Sequence, residues 1–357
     1  MKKIGLLIIL LIVITLPFTL WLIKETTPLE IVVVDKTVPK KDYREHNGLF
    51  ILLNSKKIVK ENGQSYDIGA DYFGYDPYDQ VPFPSYEVNK EADLLYIADS
   101  YGVYSDDLLD EPDGKRSKQI YGGMDLLEWN KIMESKTATT TLIAEFNSFA
   151  TPTDAITSDI MQKNLGVEWS GWTGRYFADL ASEEIPAWMI NNYEAQTNEK
   201  WEFEGSGLGF VNLTDQVVIL DDEYGQGDVN FELTNLGHEK FKTVDASKYM
   251  YWFDIISPLE NSEILATYNL KVTDEGEKIL QDAGIPTIFP AVIHQDKEKT
   301  YYFAGDYADF PNKALTKLVG APELYKFLSS KETQFFWLTY FPMMGEILEE
   351  IKQEKER

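Results

Sequence analysis

The chain has 357 residues, 44% of them hydrophobic and 13% aromatic, which is enough to build one large domain or two smaller ones and excludes wholesale disorder. Acidic residues outnumber basic ones 59 to 33, and a net charge of -26 makes nucleic acid an unexpected partner. The absence of cysteine excludes disulfides, thiolate metal sites, thiol catalysis and a lipid-modified cysteine.

In chain order, the first signal is Ile4–Ile23, a run without charge in which 15 residues are Ile, Leu, Val or Phe. At about 1.5 Å per residue it matches a hydrocarbon core, so it reads as a transmembrane helix, with Lys2 and Lys3 ahead of it and Trp21 near the far boundary. A cleaved signal peptide is the rival, but the run is long and Leu22–Thr27 lacks a small-x-small site. The expectation is a single-pass cell-membrane protein with a cytoplasmic N-terminus, residues 4–23 in the lipid bilayer, and an acidic extracytoplasmic domain. Residues 1–25 then form the anchor, 26–320 the main α/β domain and 321–357 a helical extension.

Ile31–Val34 is continuous enough for a strand buried on both faces. His46–Val59 predicts an amphipathic helix, and Tyr66–Tyr86, rich in Tyr, Asp, Gly and Pro, an irregular loop. Asp93–Ala98 predicts a strand, Gly123–Ser135 a helix, Thr139–Phe146 a strand, and Pro152–Asn164 a helix capped by Thr151 or Thr153. That alternation predicts βαβ units and a parallel sheet. Farther on, Pro186–Ala195 predicts a helix, and Leu208–Leu213 with Gln216–Leu220 a hairpin. Strands follow at Tyr249–Ile256, Glu263–Thr267, Thr287–Ile293 and Thr300–Ala304, then helices at Pro322–Ser329 and Phe335–Glu356. The aromatic start of the last helix is expected to pack on the domain.

Ile31–Val34 opening the sheet, Ala92–Asp99, Tyr121-Gly122-Gly123 before a helix, Thr141–Asn147, and Pro290–Ile293 followed by Thr300–Asp306 together resemble the class I glutamine amidotransferase-like superfamily. The likeness is to its non-amidotransferase branches associated with carbohydrate enzymes. It implies a flavodoxin-like α/β fold, a parallel sheet flanked by helices with added β-hairpins. It also implies a cell-envelope or carbohydrate context. Where that family places its nucleophile turn, this chain has Glu145, Phe146, Asn147 and Ser148, and no thiol exists to hydrolyse glutamine.

Ligands of open parallel sheets sit outside the carboxyl ends of the strands, which brings Asp99, Glu145 and Asn147 forward as crevice residues. Alternatively Asp99 caps a turn and Glu145 is a buried, paired carboxylate. Glu168–Phe177 holds Trp172, Arg175 and Tyr176 between and after two glycines. Such residues stack on sugars and fork onto anions, or equally fill a structural loop. The expected ligand is a glycan or small molecule, a membrane-protein partner is a further expectation, and neither cofactor nor metal is called for. A carboxylate-pair glycoside hydrolase drawing on Asp99, Glu145, Asp221, Asp222, Asp306 or Asp309 is an alternative, although 59 acids produce pairs by chance. A structural subunit docked through its C-terminal helix is another. His46, His238 and His294 form no metal pattern, and no catalytic residue is named.

Overall fold

The apolar runs become strands Ile31–Asp35 (β1), Phe73–Asp76 (β2), Val81–Pro82 (β3), Leu94–Asp99 (β4) and Thr141–Ala144 (β5). Val167–Phe177 (β6), Gly207–Asn212 (β7), Val217–Leu220 (β8), Val229–Leu233 (β9) and Ser247–Tyr249 (β10) come next. Trp252–Pro258 (β11), Glu263–Asn269 (β12), Ile288–Gln295 (β13) and Thr300–Phe303 (β14) complete the main set. This computed structural model describes residues 15–83, 91–109, 116–225 and 227–357.

A ten-stranded sheet runs in the order β10-β9-β12-β13-β14-β5-β4-β1-β2-β3, and a four-stranded sheet in the order β8-β7-β6-β11. Within the large sheet β14, β5, β4, β1 and β2 are mutually parallel. Every residue of β1, β4 and β5 is buried, which is why these strands read as unbroken apolar runs.

The helices are Arg44–Lys56 (α1), Leu126–Glu134 (α2), Ala155–Leu165 (α3), Ala187–Thr197 (α4), Asn235–Lys240 (α5), Asp274–Asp282 (α6), Ala321–Leu328 (α7), Lys331–Phe335 (α8) and Phe341–Lys355 (α9). The cap of α3 is Asp154, whose carboxylate accepts from the N–H groups of Ile156 and Thr157, not either expected threonine. A π-helical turn, Phe336–Tyr340, joins α8 to α9. Phe335, Phe336, Trp337, Tyr340 and Phe341 are buried in the same hydrophobic cluster as the parallel strands. Helix α1 crosses close by at Gly48, where a Cβ would stand 2.8 Å from the Ala308 carbonyl oxygen and 2.7 Å from the Phe336 ring.

The expected fold is corrected on two counts. The sheet is mixed, not a flavodoxin-like parallel sheet. The expected strands Glu263–Thr267 and Thr287–Ile293 supply β12 and β13 of the same sheet, joined by β9 and β10, which were not expected, and all four run antiparallel to their neighbours. The turn at 296–299 is too short for anything but an antiparallel return from β13 to β14. The second correction concerns the N-terminal transmembrane helix. No helix among the described residues is long and apolar enough to cross a membrane. Residues 15–23 are helical, the chain turns at Lys24, and Thr27–Pro28 pairs alongside Ile58–Val59. Residues 4–14 of the apolar run lie outside the described residues, as do 84–86 of the expected loop.

Glu168–Phe177 is also not a loop. It lies in β6, paired with both β7 and β11, and Gly171, at φ 84°, sits in an irregularity between Trp169 and Thr173.

Candidate functional site

The parallel strands end in acids. β1 closes on Asp35 and β4 on Asp99, β5 runs into Glu145, and β14 leads through Ala304 and Gly305 to Asp306. These four strands are neighbours, so four carboxyl groups come together at one edge of the sheet.

Glu145 forms the floor. Its Oε1 accepts from the Tyr96 hydroxyl, itself 2.8 Å from that of Tyr340, and Oε2 accepts from the Tyr307 and Ala308 N–H groups at 3.0 Å each. It is wholly buried, and burial pushes its carboxyl up to about 8 despite those hydrogen bonds. All of its bonding goes to protein. Sequence offered Glu145 as a crevice ligand or as a buried, paired carboxylate, and this geometry is the second.

Asp99 lies above. Its Oδ1 accepts from the Tyr101 N–H at 2.6 Å, and burial, with Asp35 adding to it, raises the carboxyl to about 8 while Thr37 and Asn147 pull it down. Asn147, half-buried, occupies the left-handed region at φ 68°, tightening the turn after β5. Its N–H reaches Oδ2 of Asp254 at 3.4 Å. Asp254, on β11, also accepts from the Tyr302 hydroxyl, and burial raises it to about 7.

Asp35 is paired with His46, Oδ2 to Nδ1 at 2.5 Å, and His46 Nε2 lies 3.0 Å from the Ile68 carbonyl. A carbonyl accepts only, so Nε2 carries a hydrogen. A proton shared between Nδ1 and Oδ2 makes the remaining hydrogen bond.

Around these sits a partly exposed rim. Arg44 clamps Asp309 through Nε and Nη2, each at 2.5 Å. Glu45 and Asp306 are half-buried, and both carboxyls are pushed well above the usual range by burial. Asp35 and Asp309 add to the shift at Glu45. Asp309, Asp99 and Glu145 add to it at Asp306, against Arg44 in both cases. Arg175 reaches Glu184 at 2.9 Å and lies within the field of Arg44, Tyr251 and Asp309. Its Nε has no partner among the described residues.

Asp99, Glu145 and Asn147 are thus brought together, with Arg175 at the rim. Trp172 and Tyr176 are not. On a strand of period two they share the face that packs into the main core, whereas Arg175 projects with Phe177 toward Trp252. Asp35 was missed although its apolar run ending in aspartate repeats that of Asp99. Asp254 was missed within an aromatic strand, where a lone acid was the available signal. Nothing in the sequence marks Arg44 and Glu45, which arrive from a helix.

Beside the acids, Lys36, Phe73, Gly74, Tyr121–Asp125, Pro152 and Asp154 line a cleft of about 430 Å³. Lys36 donates there to the Gly123 carbonyl at 2.6 Å and pairs with Glu128. Among the described residues no group of three or more His, Asp or Glu is arranged to hold a metal ion.

Comparison with known proteins adds little. No family model matches the chain, and no curated protein does. Among solved structures it is similar to a ThuA-like protein from Bacteroides uniformis, at 9% identity over 92% of this chain and 93% of that one. With a TM-score of 0.39, that likeness carries no inference about fold or function.

Proposed function

We propose that the strand-end crevice binds a hydroxyl-rich small molecule or glycan without thiol chemistry, through Asp99, Asn147, Asp306, Glu45 and Arg175. The supporting observation is the convergence of carboxyl groups from four adjacent strand ends, three of which, Asp99, Glu145 and Asp306, are held largely uncharged by burial. An uncharged carboxyl both donates and accepts a hydrogen bond, as a sugar hydroxyl does, whereas a row of ionised carboxylates would only accept. Glu145 is assigned the floor, because its oxygens are already bonded to Tyr96, Tyr307 and Ala308.

The test is a glycan array probed with the wild-type chain and with Asp306→Ala and Asp99→Ala variants. Binding to neutral oligosaccharides is expected, weakened by about tenfold or more in each variant, since each loses a hydrogen-bonding group inside a partly dry crevice. Asp306→Asn is expected to retain most of the binding, because an amide also donates and accepts. Binding that is absent, or unchanged in both alanine variants, overturns the assignment.

A further inference from the structure

Helix α7 leaves part of its apolar surface exposed. Ala321 is buried, and Tyr325 stacks on Trp337 with ring centres 4.6 Å apart, so one face of the helix is seated on the protein. Beside that face Leu324, Phe327 and Leu328 form an i, i+3, i+4 stripe, with Phe327 85% and Leu328 64% exposed. Leu315 and Val319, just before the helix, are exposed as well.

This surface continues into the helical residues 15–23. The Val319 N–H donates to the Pro17 carbonyl at 3.2 Å, and Lys317 Nζ lies 6.0 Å from the centre of the Trp21 ring. Leu16, Phe18, Leu20, Leu22 and Ile23 on that helix are themselves exposed. A patch of this extent is more than a folded domain normally leaves in water.

We propose that α7 and the preceding segment 313–320 dock on the surface of an anionic lipid bilayer. Three observations favour lipid as the occupant. Between Pro311 and Lys331 the chain carries lysines at 313, 317, 326 and 331 and the single acid Glu323, a basic stretch in a chain of net charge -26, with Lys326 paired to Asp245 at 2.6 Å. Lysines flanking an apolar stripe match a headgroup layer over acyl chains. In sequence, residues 4–14, which precede the helical residues 15–23, carry no charge. A face-to-face pairing of two copies would instead set lysines against lysines. Phe327, Leu324 and Leu328 would lie below the headgroups, with Tyr325 holding the helix to Trp337. This inference is independent of the crevice and of any ligand there.

The test uses the full-length chain, which has no native cysteine, with Leu315→Cys carrying an environment-sensitive fluorophore. The probe is vesicles of phosphatidylcholine with a minority of phosphatidylglycerol, some bearing nitroxide-labelled acyl chains. The expected result is a blue-shifted emission quenched by the nitroxide lipid, and both effects lost in the combined Leu324→Ser, Phe327→Ser, Leu328→Ser variant. Because those three side chains are exposed, the variant should unfold at the same temperature as the parent, which keeps the comparison interpretable. Water-like emission with vesicles, or quenching that survives the triple substitution, overturns the proposal. So does shielding that appears only with protein-containing native membranes, or only as the chain's own concentration rises.

Discussion

At the scale of single residues, burial sets the protonation of Asp99, Asp254 and Glu145 and ties folding to pH. In the unfolded chain such acids release their protons at about pH 4. In the folded chain they do so at about 8, 7 and 8. Between those limits the folded state binds more protons than the unfolded state, so stability falls as pH rises, by up to about 1.4 kcal/mol per pH unit for each group. Urea unfolding across this window should show the highest midpoint near its acid end. Asp99→Asn should flatten the slope, and a midpoint that rises with pH would contradict the shifts. The Glu145 floor gives a second prediction. Tyr96→Phe leaves Oε1 without its donor inside the core and should cost about 1–3 kcal/mol, whereas Glu145→Gln can keep all its partners and should cost less. Equilibrium unfolding of both variants checks the order.

At the scale of elements, two helix glycines should respond in opposite directions to the same change. Gly48→Ala drives a Cβ into the Ala308 backbone and the Phe336 ring, and should destabilise by about 1–3 kcal/mol despite alanine's higher helix propensity. Gly345→Ala on α9 meets only the end of the Lys56 side chain, at 3.1 Å, which can swing aside. There propensity decides, and a gain of up to about 1 kcal/mol is expected in thermal unfolding. The fully buried strands and the longer helices were legible as apolar and periodic runs, whereas Val229–Leu233, Asn235–Lys240 and Asp274–Asp282 were not read, and Phe73–Asp76 fell within an expected loop. Sheet polarity was not legible. Whether Glu263–Thr267 and Thr287–Ile293 decorate a sheet or extend it depends on pairing across distant segments, which local pattern does not carry. The Trp-Gly stretch misled for a related reason, since glycines that read as loop residues instead permit an irregularity in one long strand.

At the scale of the whole molecule, the C-terminal aromatics close the core over the parallel strands, and the Tyr340 hydroxyl meets that of Tyr96. Deleting residues 331–357 should therefore unfold the chain, seen as loss of the cooperative transition in circular dichroism. A truncated form that stays folded would show those helices to be an appendage. The site was half legible: the strand-end rule located Asp99, Glu145 and Asn147, but Asp35, Asp254 and the α1 pair Arg44 and Glu45 converge only through tertiary packing. The functional reading depends on the crevice acids being uncharged near neutrality. The most direct measurement is isotope-edited infrared spectroscopy of the wild-type chain against Asp99→Asn across a pH series. A protonated-carboxyl band from Asp99 should persist at about pH 6, fall to about half near 8 and vanish at higher pH. An Asp99 signal already ionised at about pH 6 would contradict the account.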